Sequence, residues 1–176
     1  MLDAFCRRIS ALSRWVGETV AWLTLAMVLA TFTIVVLRYV FSINYIWMQE
    51  AVTWMHAAVF MLGAAYALER GEHVRVDVFY RHRSRRVRAI IDTAGVVLLL
   101  LPMMVFFVWV SLDYVVSSWA IREGSRQAQG LPFPATSLVK TFLIVMPTLV
   151  ALQGIALVVR AWRTERDPTE HGSEVL

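Results

Sequence analysis

The chain has 176 residues, of which 59% are hydrophobic and 17% charged, and its formal net charge is +4. So little polar surface cannot cover a water-soluble core of this size, which excludes an ordinary soluble domain. The basic residues border long apolar runs and do not form one patch with interleaved aromatic side chains, which argues against nucleic-acid binding.

Four long apolar runs follow one another along the chain, at 19–37, 51–68, 93–112 and 141–159. As helices rising about 1.5 Å per residue, all four reach roughly the 30 Å of a hydrocarbon core. We therefore predict an all-α membrane protein in which residues 1–163 form one domain with four transmembrane helices. The predicted spans are about 17–38, 48–69, 89–112 and 139–160, and residues 164–176 are predicted to be a disordered polar tail.

The N-terminal segment, residues 1–14, carries apolar residues at helical spacing, including Leu2, Phe5, Ile9 and Leu12. This pattern predicts an amphipathic helix on the membrane surface. The alternative is the basic flank of a cleaved signal sequence. The following apolar run is too long for a signal-peptide core and ends at Arg38 without a convincing cleavage site, so we expect an uncleaved first span.

The loop after the second apolar run sets the predicted orientation, because residues 69–88 contain seven arginines. A loop this basic stays on the cytoplasmic side of a bacterial inner membrane. With the loop inside, 13 Lys and Arg residues lie on the inner side and 4 on the outer side. Both termini are therefore predicted to be cytoplasmic.

The first external loop is short and is bordered by Arg38 and Glu50. Antiparallel helices joined by so short a loop could bring these two side chains together at the outer interface, where a lower dielectric strengthens an ion pair. Two separately solvated charges are the alternative, and the spacing leaves both open. Trp47 between them is typical of a membrane interface.

The second span contains His56 and the pair Gly63 and Ala67, spaced to let another helix approach closely on a buried face. An ionisable residue at this depth is a candidate functional residue, although a neutral histidine bonded to a neighbouring helix is the simpler interpretation. Gly71 is expected to end this helix and Ser84 to cap the next one.

No nucleophile with a base, carboxylate pair, metal-ligand cluster or phosphate loop is apparent in the sequence, so we predict neither an enzyme nor a cofactor. A secondary transporter usually needs broken helices and polar groups at mid-membrane, and this chain has few of the latter. The composition therefore indicates a small subunit that works with a larger partner.

Several segments resemble, in order and spacing, the small membrane subunit (DctQ type) of tripartite ATP-independent periplasmic (TRAP) transporters. They are residues 37–41 (Leu-Arg-Tyr-Val-Phe), 47–50 (Trp-Met-Gln-Glu), 63–67 (Gly-Ala-Ala-Tyr-Ala) and 70–77 (Arg-Gly-Glu-His-Val-Arg-Val-Asp). Downstream residues are similar to the branch often labelled for mannitol or chloroaromatic compounds, namely Trp119, Glu123, Ser125, 130–132, Lys140 and 152–154. The resemblance covers about residues 15–163.

The resemblance implies a scaffold subunit in a secondary-active uptake system for an organic anion, commonly a carboxylate. Its implied partners are a large multi-span permease subunit, a periplasmic solute-binding protein and membrane lipids. The residues implied at a subunit interface, or in hairpin stability and membrane anchoring, are Arg38, Trp47, Glu50, Gly63, Ala67, Arg70, His73, Arg75 and Asp77. A docking role on the outer face is implied for Glu123, Gly130 and Pro132.

Two other classes of protein stay open as alternatives. A haem-binding membrane anchor of a respiratory enzyme would also have a few spans, but it should supply paired intramembrane histidines. A dimeric four-span exporter should carry a deep acidic residue, and Glu18 lies only at the edge of the first span.

Overall fold

The structure, a computed structural model, describes residues 2–71 and 84–166, without the side chains at positions 2, 3, 85 and 164–166. Every regular element in these residues is helical. The helices are α1 (Leu2–Val40), α2 (Ile46–Arg70), α3 (Arg85–Ala94), α4 (Leu101–Ala120) and α5 (Ala135–Arg166), and a π-helical segment, Gly95–Leu100, joins α3 to α4. The prediction of an all-α protein is confirmed.

Four stretches of helix in the described residues are long and apolar enough to cross a membrane: Ala4–Val40, Ile46–Arg70, Arg86–Ala120 and Ala135–Arg163. Each contains one predicted span, which confirms four candidate spans. The third stretch combines nearly all of α3 with the π-helical segment and α4. The fourth belongs to α5, which continues to Arg166 and so includes the first three residues of the predicted polar tail.

Helix α1 is one element of 39 residues, and the predicted N-terminal helix is its first part. At about 1.5 Å per residue it is about 58 Å long, so a large part extends beyond a hydrocarbon core of about 30 Å. Cys6 and Ile9 are buried against Ala156 of α5, whereas Phe5 and Leu12 are about half exposed. The predicted N-terminal helix is thus confirmed: its Cys6 and Ile9 side packs on α5, and Phe5 and Leu12 stay available to lipid.

Helix α5 is the centre of the bundle, since it contacts α1, α2, α3, the π-helical segment and α4. Its Val150 is buried with Ala65 and Leu68 of α2, and Leu100 and Met104 pack around this group. The middle of the described bundle is therefore filled by small and medium apolar side chains. Large apolar side chains elsewhere are exposed, as expected for surfaces that face lipid.

The ends of the helices follow local sequence signals. Gly71 caps α2 in the left-handed conformation, with φ of 73°, and the hydroxyl of Ser84 accepts a bond from the backbone N–H of Val87 at 3.5 Å. Both predicted boundaries are confirmed. The wide π-helical turn lies directly before Pro102, whose ring crowds the carbonyl group four residues earlier in an ordinary α-helix.

The bundle has two ends, named here for what they contain. The hairpin end holds the short α1–α2 connection and the loop between α4 and α5, residues 121–134. The terminal end holds the start of α1, the end of α2, the start of α3 and the end of α5. Polar side chains that join different helices occur at both ends.

Candidate functional site

Glu50 fastens the long loop at the hairpin end to α2. Its Oε2 accepts a hydrogen bond from the backbone N–H of Leu131 at 2.7 Å, and its Oε1 accepts one from the hydroxyl of Ser125. Ser125 in turn accepts from the backbone N–H of Gln127 at 3.0 Å, and its own N–H donates to the carbonyl of Leu131 at 3.0 Å. One carboxylate therefore organises a loop more than 70 residues away in sequence.

Gly130 is part of the same arrangement because it leaves no room for a side chain. A Cβ atom there would lie 2.7 Å from Glu50 Oε2 and 2.5 Å from Ser125 Cβ. The backbone N–H of Gly130 donates to the carbonyl of Gln127 at 3.0 Å, which closes the turn. The loop can approach Glu50 this closely only with glycine at position 130.

A second polar group at the hairpin end links Glu123 to α5. The ammonium of Lys140 donates to Glu123 Oε2 and also lies 3.9 Å from the centre of the Tyr114 ring, an arrangement suited to a cation–π contact. The side chains of Glu123 and Lys140 are each only 12% exposed. Arg126 lies 3.8 Å from the other carboxylate oxygen but is 91% exposed, so its contribution is small.

The charge of Glu123 is stabilised by this environment. The hydrogen bond from Lys140 is the main reason that the pKa of Glu123 lies below its ordinary value, and a bond from Ser118 acts in the same direction. Partial desolvation opposes the shift without cancelling it. The group therefore holds the start of the loop between α4 and α5 as an ionised pair.

Helices α4 and α5 are joined just below this ion pair by neutral contacts. The hydroxyls of Ser118 and Ser137 lie 3.0 Å apart and are buried, and the indole N–H of Trp119 donates to Thr141 at 2.9 Å. The Trp119 ring also meets Phe133 edge-to-face at 5.7 Å. Single serines and threonines give no sequence signal for such pairing, and the sequence analysis missed the serine pair.

The terminal end has a polar group centred on Glu69, whose side chain is only 6% exposed. Arg14 of α1 donates to Glu69 Oε1 at 3.0 Å, and Arg160 of α5 lies 4.0 Å from the same oxygen. A buried carboxylate is stable only with such partners. Three helices therefore meet at one charge, a role that the sequence analysis did not assign to Glu69.

Buried amide and hydroxyl groups extend this contact between α1 and α5. Ser13 donates to Gln153 Oε1 at 3.1 Å, the amide of Gln153 donates to Ser10 at 3.4 Å, and Arg160 also donates to Ser10. Gln153 is 1% exposed. These bonds explain why the first part of α1 keeps a fixed position on α5.

Other residues singled out from the sequence are placed as follows. Arg38 is exposed and does not pair with Glu50, so neither alternative for the two charges is right: Glu50 is bound by the α4–α5 loop. Trp47 is 45% exposed and its ring centre lies 6.3 Å from that of Tyr45. Pro132 accepts from the backbone N–H of Ala135 at 3.1 Å at the start of α5.

Three residues of the basic loop, His73, Arg75 and Asp77, lie outside the described residues. Arg70 is described: its guanidinium donates to the Tyr66 hydroxyl at 3.1 Å and lies over the same ring. The Tyr66 side chain packs directly on Gly17 of α1, where an added Cβ atom would lie 2.5 Å from Tyr66 Cβ and still closer to ring atom Cγ. This is the close approach of α1 and α2, and it occurs at Gly17.

Gly63, the first residue of the predicted small-residue pair with Ala67, has open space beside it in the described part of the chain. A Cβ added to Gly63 would meet no atom within 4 Å, and both residues are only partly buried. No described residue approaches Gly63 closely, and the role of Gly63 and Ala67 at a subunit interface stays a prediction. The buried positions of this part of α2 are Ala65 and Leu68, which face α5.

His56 lies on the exposed side of α2, beside a groove of about 550 Å³ between α1 and α2. Its imidazole forms no hydrogen bond with the described residues, so the simpler interpretation, a histidine bonded to a neighbouring helix, is not what the fold shows. Within the part of the chain that the structure describes, no three His, Cys, Asp or Glu side chains are grouped as metal ligands.

The polar contacts described above join the helices to one another at both ends of the bundle. With four helices long and apolar enough to cross a membrane, the chain is a multi-pass membrane protein. The family model for the DctQ component of tripartite ATP-independent periplasmic transporters matches residues 27–164. The chain belongs to this family of transport components, which together with the four apolar helices makes it an inner-membrane protein.

The chain is also similar to the C4-dicarboxylate TRAP transporter small permease protein DctQ of Vibrio cholerae, with 36% identity over 63 residues. The matched segment is 36% of this chain and 27% of the relative, so it spans about a quarter of that protein. No solved structure matches the chain.

Proposed function

We propose that the chain is the scaffold subunit of a TRAP uptake system that carries an organic anion, with a carboxylate as the first solute to test. The observation that carries the proposal is the filled centre of the bundle, where Ala65, Leu68 and Val150 are buried within a chain of the DctQ family. A bundle closed in this way suits a support for a permease better than a conduit. Transport itself is assigned to the large multi-span permease subunit.

The direct experiment is solute uptake in cells that lack the chromosomal gene for this chain. A radiolabelled C4-dicarboxylate is the first solute, because the Vibrio cholerae relative is named for that class. Uptake should be lost in the deletion strain and return with the wild-type gene on a plasmid. The large permease subunit should also co-purify with the tagged chain in mild detergent at a fixed ratio; uptake that does not depend on the chain would reject the proposal.

We place the hairpin end in the periplasm and both termini in the cytoplasm. The distribution of Lys and Arg, 13 on the proposed inner side against 4 on the outer side, supports this orientation. A reporter that is active only in the cytoplasm, fused after Leu176, should be active. The same reporter inserted after Ala128, in the α4–α5 loop, should be silent.

A periplasmic binding protein would meet the α4–α5 loop in this orientation. Glu123 and Gly130 give the loop its shape, whereas Arg122 and Arg126 project into solvent. The proposed docking surface is this loop: Glu123, Gly130 and Pro132 hold its shape, and the exposed arginines are the first contacts to test. Arg126→Glu should slow uptake without changing the amount of subunit in the membrane, and an unchanged rate would exclude Arg126 from docking.

The haem-anchor alternative is not favoured by the comparisons or by the described residues. His56 is the one histidine among them, so the described residues hold no second histidine ligand. The exporter alternative predicts transport by this chain alone, which is a measurable difference from the scaffold role. Membership of a family of transport components also supports the prediction that the chain is not an enzyme.

A further inference from the structure

The groove between α1 and α2 has a polar lining in a part of the chain that crosses the membrane. Thr24 and Thr31 of α1 and Thr53 and His56 of α2 line it beside apolar residues, and all four side chains are exposed. His56 is ten residues after the start of α2, about 15 Å along the helix, which places it near the middle of the bilayer. A polar strip at this depth faces hydrocarbon unless something covers it.

Three of these side chains have hydrogen-bonding groups without a partner among the described residues. Thr53 donates to the carbonyl of Gln49 at 3.1 Å, but His56, Thr24 and Thr31 form no side-chain hydrogen bond with the described residues. Acyl chains cannot supply donors or acceptors, so leaving these groups against lipid is unfavourable. A protein helix with a polar side chain at the same depth can satisfy them.

A second groove in the same bundle provides the contrast. It lies between α4 and α5, has a volume of about 330 Å³, and is lined by apolar residues such as Val105 and Trp109. Its hydroxyl group, Thr148, donates to the carbonyl of Ile144 at 2.7 Å and is satisfied within its own helix. The indole N–H of Trp109 is the one polar group of this lining without a bond to the described residues, so lipid tails suit this groove better than the α1–α2 groove with its three.

We infer that the α1–α2 groove is the surface on which a transmembrane helix of the large permease subunit packs, with a polar side chain of that helix bonded to His56. The inference rests on the proposed function and names its interface. Gly63 lies seven residues after His56, which returns to nearly the same side of a helix, and it has open space above it. The partner helix can therefore approach α2 closely beside the histidine.

Photo-crosslinking in native membranes tests this surface with two matched valines. Val28 lines the α1–α2 groove and Val105 lines the α4–α5 groove, and their side chains are 60% and 66% exposed. A benzophenone amino acid at position 28 should crosslink to the large permease subunit, in a transmembrane helix that carries a polar residue. The same amino acid at position 105 should give a much weaker product or none.

His56→Leu, combined with the crosslinker at position 28, should reduce the yield about three- to eighteen-fold, the range expected for one interhelical polar contact in a membrane. Trp109→Leu is the control and should leave the yield unchanged. His56→Leu should also leave the unfolding of the isolated subunit unchanged, because His56 has no hydrogen bond within the described chain.

The outcomes separate this inference from the proposed function. A permease crosslink at position 105 but not at 28 would place the interface elsewhere and leave the scaffold role intact. A product at position 28 with twice the mass of the chain would assign the groove to a second copy, and a lipid adduct alone would assign it to the bilayer; both reject the inference. If uptake does not depend on the chain, the proposed function itself fails.

Discussion

The bond between Glu50 and the α4–α5 loop predicts a specific energetic coupling. Glu50→Ala removes two charge-assisted hydrogen bonds, to Ser125 and to the Leu131 backbone. We assign about 1.5 kcal/mol to each bond, the lower end of the range for hydrogen bonds to charged groups, because the site is half-buried. The free energy of unfolding should therefore fall by about 3 kcal/mol. Ser125→Ala removes one of these bonds and the bond from Gln127, and should cost about 2 kcal/mol.

The double variant loses the shared Glu50–Ser125 bond only once, so its cost should be about 3.5 kcal/mol and the coupling energy about 1.5 kcal/mol. Arg38→Gln is the matched control at the same end of the bundle, because Arg38 does not contact Glu50. Its effect should add to that of Glu50→Ala within about 0.5 kcal/mol.

The assay is reversible unfolding of the purified subunit in mixed detergent micelles, followed by tryptophan fluorescence. The slope of free energy against denaturant must stay constant across the variants for the cycle to be valid. A coupling near zero between Glu50 and Ser125, or a coupling above about 1 kcal/mol between Glu50 and Arg38, would show that the carboxylate has a different partner and refute the reasoning.

Three further predictions use the same assay. Gly130→Ala should destabilise the subunit by about 1–3 kcal/mol because its Cβ would collide with Ser125 and Glu50, whereas Gly63→Ala has open space and should be neutral or slightly stabilising; equal effects would contradict the packing described. Folding lowers the pKa of Glu123 below its ordinary value of 4.5. The ionised carboxylate therefore stabilises the fold fully above pH 4.5, and this stabilisation is lost as the pH falls through the lowered pKa of the folded state. Lys140→Met should flatten that acid loss, and an unchanged pH profile would exclude the pair. Glu69→Gln should lower the free energy of unfolding by about 1–2 kcal/mol; the loss is small for a buried carboxylate because both arginine partners are about half exposed to solvent. An unchanged free energy of unfolding would show that the position of α1 does not depend on this charge.

Local sequence signals predicted local structure well. The four apolar runs gave the four candidate spans, and Gly71 and Ser84 gave helix boundaries that the structure confirms. These features depend on residues within a few positions of one another, where hydrophobic length and capping chemistry decide the outcome. The family resemblance, based on ordered motifs along the chain, is likewise confirmed by the match over residues 27–164.

Contacts between distant residues could not be obtained in this way. The short hairpin suggests Arg38 as a partner for Glu50, but the partners in the fold, Ser125 and Leu131, lie 75 and 81 residues away. The spacing of charged residues along the sequence cannot show whether Glu50 binds a nearby side chain or a backbone N–H far away in the sequence. Only the fold brings the loop after α4 back to the start of α2.

The choice of helix face was also decided by packing and not by periodicity. The predicted apolar stripe of α1 includes Phe5, Ile9 and Leu12, but only Ile9 of these three is buried, together with Ser10 and Ser13, whose hydroxyls bond to Gln153. In a membrane the lipid-facing side is as apolar as the buried side, so hydrophobic periodicity loses much of its value. Small polar residues then mark the helix contacts better than large apolar ones do.

Reconstitution into proteoliposomes tests the scaffold role most directly. Vesicles with this chain alone, with the large permease subunit alone, and with both would be compared for uptake of a labelled dicarboxylate in the presence of the binding protein and an imposed ion gradient. The scaffold account predicts uptake only when both membrane subunits are present. Solute accumulation by vesicles that contain this chain without the permease would contradict it.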